Sequence, residues 1–325
     1  MVIQFSVFLL GLVVLYFGAE WLVKAASSIA LKFGIRPMII GLTVVALGTS
    51  MPEFLLNAFA LVSGEDDLAV GNIIGSNIAN IGLILGVSVI LMPIAIDRRV
   101  LRREYPMMVA ATLLFYALAA DGLISRIDGA ILSVGLISFF LFVVFNAREP
   151  ELATRSKTPD ASPEYRDESR RNLAENRRLR AAYLIAGSIA LTIGARLMVS
   201  SAVHIADMLN VAPVFVGLTI VAIGTSLPEL AAAIVLAKQN ESEMSLGNVL
   251  GSNMLNILFV VGVISLVRPI SVSPVSVTQH FPVMIAFTLG LYPLARYGEI
   301  MTDSAGFVLL MSYVAYLGWL VFPYI

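Results

Sequence analysis

Long apolar runs, separated by short polar loops, follow one another along almost the whole chain. A run of about 20 apolar residues is long enough to cross a bilayer as one α-helix. The runs cover 2–31, 37–63, 68–95, 104–121, 127–146, 180–208, 212–237, 244–267, 280–298 and 303–323. They lack the ten-residue alternation that is typical of membrane barrels. The pattern therefore predicts an all-α polytopic membrane protein with about ten helices, five in each half.

The chain also repeats itself, because two pairs of segments recur 176 positions apart. GLTVVALGTSMPE at 41–53 and GLTIVAIGTSLPE at 217–229 are identical at ten of thirteen positions. GNIIGSNIAN at 71–80 and GNVLGSNMLN at 247–256 keep the same offset. The chain is therefore a duplicated half.

Composition agrees with a membrane protein. The chain is 58% hydrophobic and 13% charged, with a mean hydropathy of +0.90, whereas a soluble domain is about half apolar and a quarter charged. The chain contains no cysteine, which excludes disulfides and thiolate metal sites.

Positive charge predicts the orientation. Most of the 21 Lys and Arg residues fall in alternate loops, and such loops stay on the cytoplasmic side. This places both termini outside the cell (inner) membrane, and because each half has an odd number of helices, the two halves insert in opposite senses. We expect a first five-helix repeat over 1–147, a cytoplasmic linker over 148–179 and a second repeat over 180–325.

The first repeated motif places proline inside an apolar helix. Pro52 and Pro228 have no N–H to donate to the carbonyls of Gly48 and Gly224, four residues earlier. Freed carbonyls at membrane depth need another partner, in the protein or in a wet cavity. We therefore expect a broken helix with exposed carbonyl oxygens in each half.

Each proline is followed by a carboxylate. Glu53 and Glu229 lie one helical turn beyond Thr49 and Thr225, so carboxylate and threonine oxygens share one side of the helix. An ionisable group near the bilayer centre costs at least roughly 2.5–3.5 kcal/mol and marks a functional site by default.

The second motif spaces polar residues by four and so places them in one stripe of each helix. A stripe of this kind offers neutral oxygen ligands, or it only forms a hydrogen-bonded seam between helices. Both alternatives stay open for Asn72 and Asn248, while a ligand role is favoured for the other members. The stripes consist of Asn72, Ser76 and Asn80, and of Asn248, Ser252 and Asn256.

If the two halves meet face to face, these groups form one all-oxygen cluster, since the motifs contain no Lys, Arg, His or Cys. Oxygen ligands select hard cations, and two carboxylates balance one Ca2+. The same oxygens hold Na+. A hydrolase would need a base beside the serines, so we expect no enzyme, and broken helices in an inverted repeat favour a secondary transporter over a channel.

The paired motifs resemble the two alpha repeats of the cation/calcium exchanger superfamily, in particular its prokaryotic sodium/calcium exchangers. The resemblance implies electrogenic antiport of Ca2+ against Na+ by alternating access, in a functional monomer in the lipid bilayer, with no cofactor and no nucleic acid. Asn256 stands where potassium-dependent relatives carry Asp, which implies potassium-independent exchange. The alternative is a calcium/proton, or other cation/proton, antiporter of the same superfamily.

The resemblance also implies the ligands. The calcium site corresponds to Glu53, Glu229 and the backbone oxygens of Thr49 and Thr225. The sodium sites correspond to Ala46, Ala222, Ser76, Ser252, Asn80 and Asn256, with Ser50 and Ser226 as further candidates.

Two groups of charged residues receive structural interpretations. Glu20 and Lys24 lie one turn apart on the first helix, which favours an intrahelical ion pair, or snorkelling near the membrane interface, over contact with a substrate. The acidic run at 65–67 is expected to be a solvated turn.

Overall fold

The computed structural model describes residues 2–147, 176–209, 222–296 and 300–321. Most of the linker predicted at 148–179 lies outside these ranges, as does the start of the second copy of the first motif, 217–221.

Helices make up most of the described chain. They are α1 Val2–Phe33, α2 Pro37–Ser63, α3 Asp66–Leu91, α4 Arg98–Arg102, α5 Glu104–Ala119, α6 Arg126–Asn146, α7 Arg177–Met208, α8 Ala222–Thr225, α9 Leu227–Lys238, α10 Ser242–Val267, α11 Phe281–Arg296 and α12 Asp303–Val321. Seven of those described, α1, α2, α3, α6, α7, α10 and α12, are long and apolar enough to cross a membrane. The predicted spans at 104–121 and 280–298 correspond to the shorter α5 and α11, and the span at 212–237 is described only from Ala222.

Local chemistry sets several helix ends. Ser125 accepts a hydrogen bond from the Asp128 backbone while the Asp128 carboxylate accepts one from the Ser125 backbone, a capping box that starts α6. The Asn176 side chain caps the first turn of α7. Gly64, at φ +87°, ends α2 in the left-handed conformation that glycine adopts without strain.

Three long helices contain a π-helical segment, at Gly41–Val45 in α2, Asn80–Leu85 in α3 and Leu255–Val261 in α10. These three segments lie within or beside a repeated motif, whereas a fourth π-helical segment, Ser276–His280, lies directly before α11 and outside the motifs. A π turn redirects the residues around it, and such turns are frequent at functional sites.

The helices of the repeated motifs form the inside of the fold. We compared the share of residues that are buried in the most apolar stretch of each helix. This share is 78% in α3 and 83% in α10, but only 33% in α1 and 28% in α7. Helices α3 and α10 are therefore central, while α1 and α7 present apolar side chains outward, as lipid-facing helices do.

Helices α1 and α7 cross antiparallel through paired glycines. Gly11 faces Gly194 and Gly18 faces Gly187, and the backbones approach so closely that a Cβ at Gly18 would lie 2.7 Å from the Leu191 nitrogen. Close approach of this kind needs small residues in membrane helices. Because Gly11 and Gly18 are the repeat mates of Gly187 and Gly194, the crossing has approximate two-fold symmetry.

Four short strands show the same symmetry. β1 (Ile94–Ala95) pairs antiparallel with β4 (Ile300–Met301), and β2 (Leu123–Ile124) pairs antiparallel with β3 (Ile270–Ser271). β3 is the repeat mate of β1, and β4 lies one residue beyond that of β2. Each half therefore contributes one strand to each pair, in the reciprocal manner of a two-fold interface.

The crossing of α2 and α10 gives a prediction about stability. A Cβ at Gly247 would overlap the Met38 carbonyl and lie 3.0 Å from the Leu42 nitrogen. Because backbone atoms cannot move aside as a flexible side chain does, we expect Gly247→Ala to destabilise the protein by about 1–3 kcal/mol. Thermal unfolding in detergent measures the loss of stability.

Gly290→Ala, on α11, is the matched control, since no described atom lies within 4 Å of its added methyl group. We expect that variant to be as stable as the parent, or slightly more stable. Equal melting temperatures for the two variants would contradict the prediction.

Two expectations need correction. The helix predicted to break at Pro52 is continuous, because α2 runs through the proline to Ser63. A proline removes a backbone hydrogen bond from a helix, and α2 tolerates that loss. In the second half the break is present, at Ser226 between α8 and α9.

The acidic turn at 65–67 is not wholly solvated, because Asp66 is buried. Its carboxylate lies 2.6 Å from the Arg268 guanidinium and accepts a hydrogen bond from the Ser271 backbone nitrogen at 2.9 Å. These contacts join the two halves of the chain.

The intrahelical pair on α1 is confirmed. Lys24 Nζ lies 2.6 Å from Glu20 Oε1, and both side chains are partly exposed. A pair of this kind is worth about 0–1 kcal/mol, so it contributes little to the fold.

Candidate cation site

The repeated motifs meet at the centre of the molecule. Helices α2 and α3 carry the first-half copies, and α8, α9 and α10 carry the described part of the second-half copies. Glu53 lies on α2 with none of its surface exposed, and Glu229 lies in the first turn of α9 with 1% exposed. Two carboxylates are thus enclosed within the membrane protein, where ionised groups need close polar partners.

Glu53 receives hydrogen bonds from both halves. Ser76 Oγ donates to Glu53 Oε1 at 2.8 Å from the same half. Ser226 Oγ lies 3.4 Å from the same oxygen, and Asn256 Nδ2 lies 3.4 Å from Oε2, both from the opposite half. The carboxylate is therefore a junction between the repeats.

Glu229 has the equivalent partner across the halves. Ser50 Oγ donates to Glu229 Oε1 at 2.8 Å and lies 3.0 Å from Ser252 Oγ. Glu229 Oε2 has no hydrogen-bond partner among the described residues.

The outer asparagines pair with the threonines of the opposite half. Thr49 Oγ1 lies 3.3 Å from Asn248 Oδ1, and Thr225 Oγ1 lies 3.3 Å from Asn72 Oδ1. The two contacts are equivalent under the repeat. Asn72 and Asn248 therefore belong to the same polar cluster as the glutamates.

The inner asparagines present amide oxygens. Asn80 and Asn256 are completely buried, and their Oδ1 atoms have no hydrogen-bond partner in the described part of the chain. Asn80 Nδ2 donates to Asn253 Oδ1 at 2.9 Å, and Asn256 donates to Glu53. In both cases the nitrogen is engaged and the oxygen remains available.

The two alanines contribute backbone only. The Ala46 carbonyl lies 3.3 Å from Thr49 Oγ1, at the start of the regular helix after the π segment. Ala222 is the first residue of α8. The structure thus brings together the predicted glutamates, serines, threonines and asparagines, while Ala222 lies at the edge of the described chain.

Sequence reasoning assigned no role to two residues of this cluster. Asn57, one turn beyond Glu53, accepts a hydrogen bond from Asn72 Nδ2 at 3.0 Å and is only 1% exposed. Asn253 accepts the hydrogen bond of Asn80. The signal for Asn253 was its presence in both copies of the second motif, whereas Asn57 has Ala233 as its mate and carries no repeat signal.

The cluster is suited to a cation. It combines two carboxylates, Glu53 and Glu229, with neutral oxygen atoms of serine, threonine and asparagine side chains. A cation supplies the partner that buried oxygens such as Glu229 Oε2 and Asn80 Oδ1 require. The two negative charges are balanced by one divalent ion or by two monovalent ions.

The fold and the site define a helical membrane transport protein with a duplicated, all-oxygen site. A family model described as "Sodium/calcium exchanger protein" matches residues 3–147 and 179–322. The chain belongs to this sodium/calcium exchanger family, which consists of antiporters and not of enzymes.

Several known proteins are similar over nearly their whole length. "Sodium/calcium exchanger MaX1" of Methanosarcina acetivorans is 33% identical over 345 residues, covering 97% of each chain. "Inner membrane protein YrbG" of Escherichia coli is 36% identical over 291 residues, covering 89% of this chain and 87% of that one. A solved structure of the sodium-calcium exchanger NCX_Mj, soaked without Na+ and Ca2+, superimposes with a TM-score of 0.81 at 33% identity and covers 98% of this chain and all of that one.

Proposed function

We propose that the protein exchanges Ca2+ for Na+ across the membrane, electrogenically and without K+. One observation carries the proposal: each buried glutamate is contacted by a serine from the opposite half, Ser226 at Glu53 and Ser50 at Glu229. A cation between the carboxylates therefore touches both repeats. The similarity to MaX1 and NCX_Mj, both named sodium/calcium exchangers, supports this choice of ions.

The proposed ligands follow from the contacts. Glu53 and Glu229, with the backbone oxygens of Thr49 and Thr225, bind Ca2+, because two carboxylates neutralise one divalent ion. The neutral groups around them bind Na+ when Ca2+ has left. These groups are the carbonyls of Ala46 and Ala222 and the side chains of Ser76, Ser252, Asn80 and Asn256, with Ser50 and Ser226 also in contact.

We propose ten transmembrane helices in two inverted repeats, 1–147 and 180–325, joined by a cytoplasmic linker at 148–179. The antiparallel crossing of α1 and α7 and the reciprocal strand pairs support opposite insertion of the halves. The charge distribution supports outside termini, and the name of YrbG supports the inner membrane. A monomer contains the whole site.

Alternating access follows from this architecture. The outer pair α1 and α7 contacts the central helices mainly through apolar side chains, so it can slide without breaking the polar cluster. The core of α2, α3, α9 and α10 keeps the site together. Movement of the pair across the core exposes the same ligands first to one side and then to the other, as in other inverted-repeat transporters.

K+ independence rests on charge. Asn256 is neutral and donates to Glu53, so the site holds the two negative charges of Glu53 and Glu229 rather than three. Exchange of one Ca2+ for more than two Na+ moves net charge across the membrane. K+ is not needed to balance the two carboxylates.

The decisive measurement is uptake of radioactive Ca2+ into vesicles that contain the purified protein. We expect uptake when the vesicles are loaded with Na+ and diluted into Na+-free medium, because outward Na+ movement drives Ca2+ inward. A membrane potential positive inside should increase uptake, and replacement of external choline by K+, without an ionophore, should not change it.

The alternative, a proton-coupled antiporter, gives a different result in the same vesicles. A pH gradient alone would then drive Ca2+ uptake, and internal Na+ would have no effect. That outcome would replace the proposal.

A further inference from the structure

A second layer of amides lies behind the site. Asn80 Nδ2 donates to Asn253 Oδ1 at 2.9 Å, and Asn253 Nδ2 in turn lies 3.6 Å from the sulfur of Met108 on α5. All three residues are at most 1% exposed. Burying an amide costs free energy unless its donor and acceptor are both used, so the position of Asn253 calls for a polar role.

The equivalent contact in the other half is not made. The repeat mates of Asn80 and Asn253 are Asn256 and Asn77, but Asn256 Nδ2 lies 3.4 Å from Glu53 Oε2 instead. Asn77 donates to the Ile73 carbonyl at 2.7 Å, and its Oδ1 has no hydrogen-bond partner among the described residues. Asn80 and Asn256 are equivalent under the repeat, but their amide nitrogens contact different kinds of acceptor, an asparagine oxygen and a carboxylate oxygen.

The unused acceptors complete this pattern. Glu229 Oε2, the mate of the oxygen that Asn256 approaches, is without a hydrogen bond in the described ranges. Because the two halves are equivalent under the repeat, we expect each inner asparagine to have the same two kinds of acceptor for its amide nitrogen, a neighbouring asparagine or a site carboxylate. Asn256 uses the carboxylate and Asn80 uses the asparagine.

We infer that Asn253 is a positioning residue that holds the Asn80 amide nitrogen away from Glu229. With the nitrogen engaged, Glu229 Oε2 and Asn80 Oδ1 both remain free to bind the transported cation. Without Asn253, the nitrogen donates to Glu229, and its partial positive charge competes with the cation for that oxygen. The inference rests on the proposed function, in which Glu229 and Asn80 are ligands.

Met108 sets the orientation of Asn253. An asparagine side chain can present either oxygen or nitrogen to its neighbour, and the other end decides which. The thioether sulfur of Met108 is an acceptor, so it takes the nitrogen end of Asn253 and turns the oxygen end towards Asn80. A leucine at 108 keeps the volume and removes this preference.

Equilibrium binding of radioactive Ca2+ to the purified, detergent-solubilised chain tests the inference. We expect Asn253→Leu to weaken Ca2+ binding about three- to tenfold, the worth of one neutral hydrogen bond. Met108→Leu should weaken it in the same direction but less. In an Asn80→Ala background, which keeps the two glutamates that bind Ca2+ but has no amide nitrogen to position, neither change should have any further effect.

The background separates positioning from packing. The inference would be overturned if Asn253→Leu weakened Ca2+ binding as much in the Asn80→Ala background as in the parent protein. The effect of Asn253 would then not depend on Asn80. An equal loss in Asn77→Leu, whose Oδ1 accepts nothing in the described residues, would also overturn it. A parent protein that binds no Ca2+ would instead reject the proposed function, and normal binding by Asn253→Leu would reject the inference alone.

Discussion

Glu53→Gln and Glu229→Gln should each abolish Na+-driven Ca2+ uptake while the protein still folds. Glutamine keeps the size of the side chain and one oxygen but removes the charge. One Ca2+ would then face a single carboxylate in a buried site. Removing one partner of a buried ion pair costs about 3–5 kcal/mol, which corresponds to a hundred- to several-thousandfold weaker binding, roughly.

The same substitution turns an acceptor into a donor. Ser76, Ser226 and Asn256 all place hydrogen-bond donors at Glu53, and a glutamine NH2 group among them adds a repulsive contact. Glu229→Gln has fewer such conflicts, because Glu229 Oε2 has no protein donor in the described ranges. We therefore expect Glu53→Gln to lower the melting temperature more, although both variants lose transport.

Uptake of Ca2+ into vesicles measures the loss of transport, and thermal unfolding in detergent measures the loss of stability. Glu20→Gln is the matched control, since Glu20 is partly exposed on α1 and its carboxylate pairs with Lys24, away from the site. It should transport normally. Normal transport by either Glu53→Gln or Glu229→Gln would show that the carboxylates are not the ion ligands.

The main site residues could be predicted because a polar or charged side chain inside a membrane helix carries a free-energy cost. A glutamate or serine in an apolar run needs a reason, and its recurrence 176 positions later supplies an independent copy of the signal. The contact of Ser226 with Glu53 is the arrangement expected when the halves meet face to face.

Other features depend on partners that are distant in sequence. Asn253 was visible as a repeated residue, but its role depends on Met108, 145 positions earlier. The repeat also predicted symmetry where the structure has none: α2 continues through Pro52, whereas the second half breaks at Ser226. One missing backbone hydrogen bond does not decide between a continuous and a broken helix, because tertiary packing contributes more.

A buried ion pair escaped sequence analysis altogether. Arg36, between α1 and α2, lies 3.2 Å from Glu104 on α5, and Glu104 is completely enclosed. The Arg36 backbone nitrogen also donates to the carbonyl of Ala147, the residue that follows α6, at 3.0 Å. The equivalent positions in the other half are Ala212 and His280, so the Arg–Glu pair is not repeated there. Comparison of the two halves of the sequence therefore could not predict this ion pair.

Glu104→Ala should destabilise the protein by about 3–5 kcal/mol, because it leaves the Arg36 guanidinium buried without its carboxylate. Chemical unfolding in mixed micelles measures the loss, and Glu20→Ala, at a pair whose side chains are 36% and 24% exposed, should cost at most about 1 kcal/mol. The double variant Arg36→Met/Glu104→Leu should recover most of the stability, since it removes both charges and fills the space with apolar atoms. If the double variant is as unstable as Glu104→Ala, the cost lies in packing around α5, and the unpaired charge of Arg36 is not its cause.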